Sequence, residues 1–141
     1  MMIDKLLEMA NSTSTVGSSG RFKSDYCIDT VKAGSALVDV PYLVVQVDAA
    51  FTASGGAQNA TFTLETYTTK DFDSARTVLW SSGALPKATL VAGYTMVVPM
   101  PVSNLLEYIT VICTTDTHDS TSGSTFSAFI VREPDFRAAK A

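Results

Sequence analysis

A chain of 141 residues is long enough for one domain with its own core, because a domain of this size hides roughly 70% of its unfolded surface from water. Hydrophobic residues make up 46% and charged residues 17%, which excludes a disordered polyelectrolyte and leaves a surface made mostly of Ser, Thr, Ala and Gly. The net charge of -4, without any cluster of Lys and Arg, excludes a face built to displace counterions from a phosphate backbone, so nucleic acid is not expected as a partner.

The opening "MMIDKLLEMANSTST" has its apolar residues interrupted by Asp4, Lys5 and Glu8. No signal-peptide core or membrane span is expected there, and no membrane partner. Ile3, Leu6 and Leu7 read instead as apolar anchors on a short arm, either extended or coiled into one helical turn, too short to be stable without packing on something. "NSTSTVGSSG" (11 to 20) then reads as a flexible linker. Two docking places are open to such an arm: its own domain, or a neighbouring subunit.

Beyond residue 20 the apolar positions recur every second residue, in runs rich in Thr, Val, Tyr and Phe. A strand is expected near "YCIDTV" (26 to 31). In "VPYLVVQVDAAF", Leu43, Val45, Val47, Ala49 and Phe51 share one face, with Tyr42, Gln46 and Asp48 on the other. "ATFTLETY" (60 to 67) repeats the pattern with Phe62 and Leu64 after the interruption "TASGGAQ", so a hairpin is the default expectation. "RTVLW" (76 to 80) precedes "SSGALP", where Gly83 and Pro86 act as breakers, and "ATLVAGYTMVVPMP" holds two short runs split by Ala92-Gly93. Pro99 and Pro101 predict a strand that ends there or lies at an edge. "LLEYITVICTT" (105 to 115) is apolar on nearly both faces and reads as a central strand or one whose outer face is covered. "DTHDSTSGS" is a loop, and "TFSAFIVRE" closes the set before a polar tail.

Seven or eight short strands with Gly, Pro and Ser in the turns predict a closed barrel or a two-sheet sandwich. The irregular spacing favours an all-β, two-sheet antiparallel jelly-roll sandwich over a meander. The expected organisation is an arm and linker over residues 1–20, the sandwich over 21–135, and a tail over 136–141.

The residues offer little chemistry. His118, the one histidine, stands between Asp116 and Asp119 in a polar loop, where nothing fixes the three or four ligands a metal needs. No GxSxG elbow gives any serine a nucleophile's setting. Asp71 and Asp73 sit between Lys70 and Arg76, an arrangement that mutual neutralisation explains. The Gly55-Gly56 pair lacks the Lys and the following helix of a phosphate cradle. Cys27 and Cys113 lie outside any metal spacing and read as two buried thiols; paired, they would close a loop of roughly 85 residues worth about 4 to 5 kcal/mol. No catalytic residue, metal or cofactor is expected, and the chain does not read as an enzyme. Tyr42, Tyr67, Trp80 and Tyr94 on outer faces would suit either a sugar or a protein surface. A glycan- or host-surface-binding sandwich is therefore the alternative to a structural protein.

The block "VPYLVVQVDAAFTASGGAQNATFTLETY", followed by "SSGALPKATLVAGYTMVVPMP", resembles the jelly-roll cement, or decoration, proteins of tailed bacteriophages. The start "MIDKLLEM" and the ending "SAFIVRE" resemble them too. That resemblance implies a sandwich without an active site, made in the host bacterial cytoplasm and seated on the outside of an HK97-type head. There it would form a dimer or trimer with itself and bridge neighbouring major capsid protein subunits against the pressure of packaged DNA. "TTKDFDSART" and "DTHDSTSGS" depart from the family's pattern, and no functional residue carries over one by one. The partner interface expected here is the arm at Ile3, Leu6 and Leu7.

Overall fold

The computed structural model describes residues 8–14, 20–24, 26–30, 42–51, 59–69, 76–100, 105–115 and 124–131. Among them are ten strands: β1 (Glu8–Ser14), β2 (Gly20–Lys23), β3 (Ile28–Asp29), β4 (Tyr42–Ala49), β5 (Asn59–Tyr67), β6 (Thr77–Ser81), β7 (Leu85–Pro86), β8 (Thr95–Pro99), β9 (Tyr108–Thr115) and β10 (Thr125–Val131). They form two antiparallel sheets. Sheet A runs in the order β1-β10-β4-β8 and sheet B in the order β2-β9-β5-β6, with β3 added beside β9 and β7 beside β5.

The pairs are nested. β5 pairs with β6, β4 with β8, β2 with β9 and β1 with β10, so the two halves of the chain run side by side as one ribbon. Successive pairs of that ribbon fall alternately in sheet B and sheet A, which is the jelly-roll winding.

Period-two alternation then fills the space between the sheets. Leu43, Val45 and Val47 of β4 and Phe126, Ala128 and Ile130 of β10 meet Ala60, Phe62 and Leu64 of β5 and Ile109, Val111 and Cys113 of β9 in one buried cluster. Phe62 is the hinge of that core, edge-on to Phe126 at 5.3 Å between ring centroids and to Phe51 at 6.0 Å. As its composition predicts, β9 is central, with β2 and β3 on one side and β5 on the other. Its outward residues Thr110 and Ile112 are also buried.

Three expectations are corrected. β4 and β5 do not form a hairpin: β4 lies in sheet A and β5 in sheet B, so the chain crosses between layers where residues 52–58 intervene. Both strands turn an apolar face to the same core, and alternation alone is identical for a hairpin and for a crossing. Secondly, the first of the two runs expected in "ATLVAGYTMVVPMP" is a turn. Thr89 N–H donates to Pro86 O at 2.9 Å and Leu90 N–H to Lys87 O at 3.1 Å, which drops Leu90 fully into the core. The breaker segment before it supplies β7.

Thirdly, residues 11–14 are not linker but part of β1, an edge strand with Met9 and Ala10 fully covered. Its registers with β10 shift twice, and Ser12 sits at φ 52°, so the strand never shows clean alternation in sequence. The backbone N–H of Tyr26 donates to Met9 O at 2.9 Å, tying β1 to the segment between β2 and β3 and closing one side of the sandwich. Pro99 ends β8, an edge strand, where a missing N–H is tolerated.

Candidate functional site

Ile3, Leu6 and Leu7, the expected interface, lie outside the described residues, as do His118, Asp116, Asp119, Asp71, Asp73 and the Gly55-Gly56 pair. Among the described residues no group of three or more His, Cys, Asp and Glu is placed to hold a metal ion. Neither cysteine forms a disulfide. Cys113 is buried as read, with its thiol pushed up to about 12 by burial, whereas Cys27 is only half-buried.

The aromatic residues do not share a platform. Trp80 and Tyr94 pack against the central core, and Tyr67 is fully covered on the outside of sheet B. Tyr42 lies on the outside of sheet A against a small second cluster of Val44, Phe129 and Val131.

Each outer face carries a built polar centre. On sheet A the carboxylate of Asp48 accepts from Ser127 Oγ at 2.5 Å and from Ser12 Oγ at 3.5 Å, while Ser12 N–H donates to Ser127 Oγ at 3.0 Å. The left-handed backbone at Ser12 turns its hydroxyl toward Asp48 and pins the bulge of β1 onto β10 and β4.

Sheet B holds the more heavily charged centre. Alternation along β5 turns Ala60, Phe62 and Leu64 inward and Thr63, Glu65 and Tyr67 outward. The Glu65 side chain is nonetheless only 3% exposed. One of its oxygens, Oε1, accepts from Arg21 Nη2 at 2.8 Å and Tyr67 OH at 2.9 Å, with Arg76 Nε at 3.4 Å. The other, Oε2, accepts from Thr63 Oγ1 at 2.7 Å. Arg21 Nη2 also donates to Tyr67 OH at 3.2 Å.

These contacts settle how a carboxylate can be buried on a sheet's outer face: its donors come from β2, from β5 itself and from Arg76, the residue before β6. Burial opposes the Arg21 charge, but the Tyr67 hydrogen bond and the Glu65 carboxylate outweigh it and hold the guanidinium above its ordinary value. Burial also raises the Tyr67 phenol, which Arg21 partly offsets and Glu65 reinforces, so the phenol remains a donor at neutral pH.

The alternation of β5 placed Glu65 and Tyr67 on an outer face in the sequence. Their partner Arg21 lies 44 residues from Glu65 on a strand of four residues, and no local signal joins them.

A family model described as Bbp16 matches residues 10–130, nearly the whole of the sandwich. No curated protein matches the chain.

Proposed function

The chain belongs to the Bbp16 family, and from that premise we propose that it is a structural cement protein of a bacteriophage head, binding the outer surface and stabilising contacts between major capsid protein subunits. The observation that carries this reading is the sandwich itself: two sheets wound as a jelly roll, locked by a continuous aromatic and aliphatic core, with charged groups on the outer face held in fixed geometry by one another. The resemblance of its longest blocks to jelly-roll cement proteins supports it further.

A part that works by holding its neighbours needs rigidity and broad faces more than a cleft. Pre-aimed side chains lose little freedom on docking, so more of the contact energy is kept as affinity. A single contact of ordinary size, about 1,600 Å², can be only micromolar. An oligomer that touches several capsid subunits at once raises the effective concentration of each further contact, so modest contacts add to a firm clamp. The arm at Ile3, Leu6 and Leu7, exchanged between subunits, is the proposed tie within that oligomer.

The test is cosedimentation of the purified protein with expanded heads assembled without it. Saturable binding at a fixed number of copies per head is the expected result; no binding at micromolar protein would remove the reading. Glycan binding is the competing outcome, and a glycan array with the same protein separates the two.

A further inference from the structure

Two guanidinium groups on sheet B share one carboxylate. Among the described residues, Glu65 is the only acidic side chain that Arg21 or Arg76 reaches, at 2.8 and 3.4 Å. The arginine side chains remain 39% and 45% exposed, while Glu65 is 3% exposed. Among the described residues the centre therefore holds two cations to one anion. Each guanidinium has five N–H donors in a planar fork. Arg21 spends its contacts on Glu65 and Tyr67, and Arg76 makes only its contact with Glu65 among the described residues.

The surroundings fit a docking surface. Val78 stands opposite Glu65 on the edge strand β6 and is 50% exposed, one of three large apolar side chains among the described residues that are so open. An exposed apolar residue beside fixed arginines is the composition of an interface centre, where Arg is enriched and Lys depleted. Among the described residues, the outward charged side chains of sheet A, Glu8 and Asp48, are both acidic.

We propose that Arg21 and Arg76 form a paired-arginine site for an Asp or Glu side chain of the partner protein, and that this makes the outer face of sheet B the face that docks. The second half rests on the cement reading above. Glu65 preorganises the site: it holds both guanidiniums together against their mutual repulsion, and it neutralises one charge while leaving the other to the incoming carboxylate. That carboxylate bridges the unused N–H groups of the pair, with Val78 covering one side against water. Contact is thereby strengthened by a charge-assisted pair in a partly desolvated setting, and it weakens as salt rises.

Two measurements test the two halves separately. In the first, a hexaglutamate peptide is titrated into the protein while the Arg Nε resonances are followed by NMR. Shifts at Arg21 and Arg76 that fade between 50 and 300 mM salt are expected, with at least a threefold loss of affinity in Arg76→Gln. Glu65→Gln keeps a carbonyl acceptor where Oε1 holds the two guanidiniums and removes only the competing charge, so it is expected to bind at least as tightly as the wild type. Absence of shifts at both arginines, or equal loss in Glu65→Gln and Arg76→Gln, overturns the site.

In the second, Arg76→Gln and Arg21→Gln proteins that retain the wild-type oligomeric state are bound to expanded heads lacking this protein. About tenfold weaker binding with a flatter salt dependence is expected. Wild-type affinity and salt dependence in both variants overturn sheet B as the docking face. Failure of the wild type itself to bind heads overturns the cement reading, while the peptide titration still decides the site.

Discussion

The ring of Phe62 on β5 meets the ring of Phe126 on β10 at an interplanar angle of 68°, with 5.3 Å between centroids, and joins sheet B to sheet A through the middle of the core. Both side chains are fully buried. Replacing either by Ala removes a large apolar group and leaves a cavity between two sheets that cannot collapse independently, at a cost of about 3 to 5 kcal/mol. Urea unfolding is expected to show a lower midpoint for each. The double variant should lose less than the sum, because the rings contact each other.

The Glu65 centre predicts an order among substitutions rather than one value. Arg21→Ala removes a 2.8 Å partner from a carboxylate that stays buried, and should cost about 2 to 4 kcal/mol. Arg76→Ala removes a 3.4 Å contact from a side chain 45% exposed, and should cost less than about 1 kcal/mol. Equal losses in thermal or urea unfolding would mean that Glu65 is not held mainly by Arg21.

The two thiols should differ in chemistry. Cys113 is buried in β9, and its thiol, pushed up to about 12, stays protonated at any working pH. Iodoacetamide at pH 8 is expected to modify half-buried Cys27 within minutes and Cys113 only on the timescale of global unfolding.

The same shift fixes a sign for alkaline stability. A thiol whose folded value lies above its ordinary 9.0 holds its proton longer when folded, so its contribution is complete below pH 9 and is lost as pH rises from there toward 12. The raised Tyr67 phenol acts in the same direction. Unfolding free energy should therefore fall above pH 9, and Cys113→Ser, although less stable throughout, should fall less steeply.

Ser12 offers a backbone test. At φ 52° a β-branched residue is strained, so Ser12→Val should cost about 1 to 3 kcal/mol, adding strain to the lost hydroxyl contact with Asp48. Ser12→Gly relieves the conformation while losing only that 3.5 Å contact, and should lie within about 1 kcal/mol of the wild type in urea unfolding.

Much of this fold was legible in the sequence because β4, β5 and β10 turn alternate apolar residues into the core and β9 is apolar on nearly both faces, and strands of these kinds announce themselves. Their assignment to sheets was not. Val47 and Phe62 follow the same rule on either side of residues 52–58, and nothing local says whether the next strand pairs with the last or crosses to the facing layer. β1 escaped because a polar edge strand with a bulge at Ser12 resembles a linker in composition. The sheet B centre escaped for a different reason: Glu65 and Tyr67 are neighbours in alternation, but Arg21 reaches them only through the order β2-β9-β5, a consequence of winding the ribbon.

Heads assembled without this protein, expanded, filled with DNA and then heated in its presence or absence, give the most direct measurement of the proposed cement role. The temperature at which DNA becomes accessible to an intercalating dye is expected to rise by several degrees at saturating protein, and to fall back for a protein lacking residues 1–7. An unchanged release temperature at full occupancy would contradict a stabilising function.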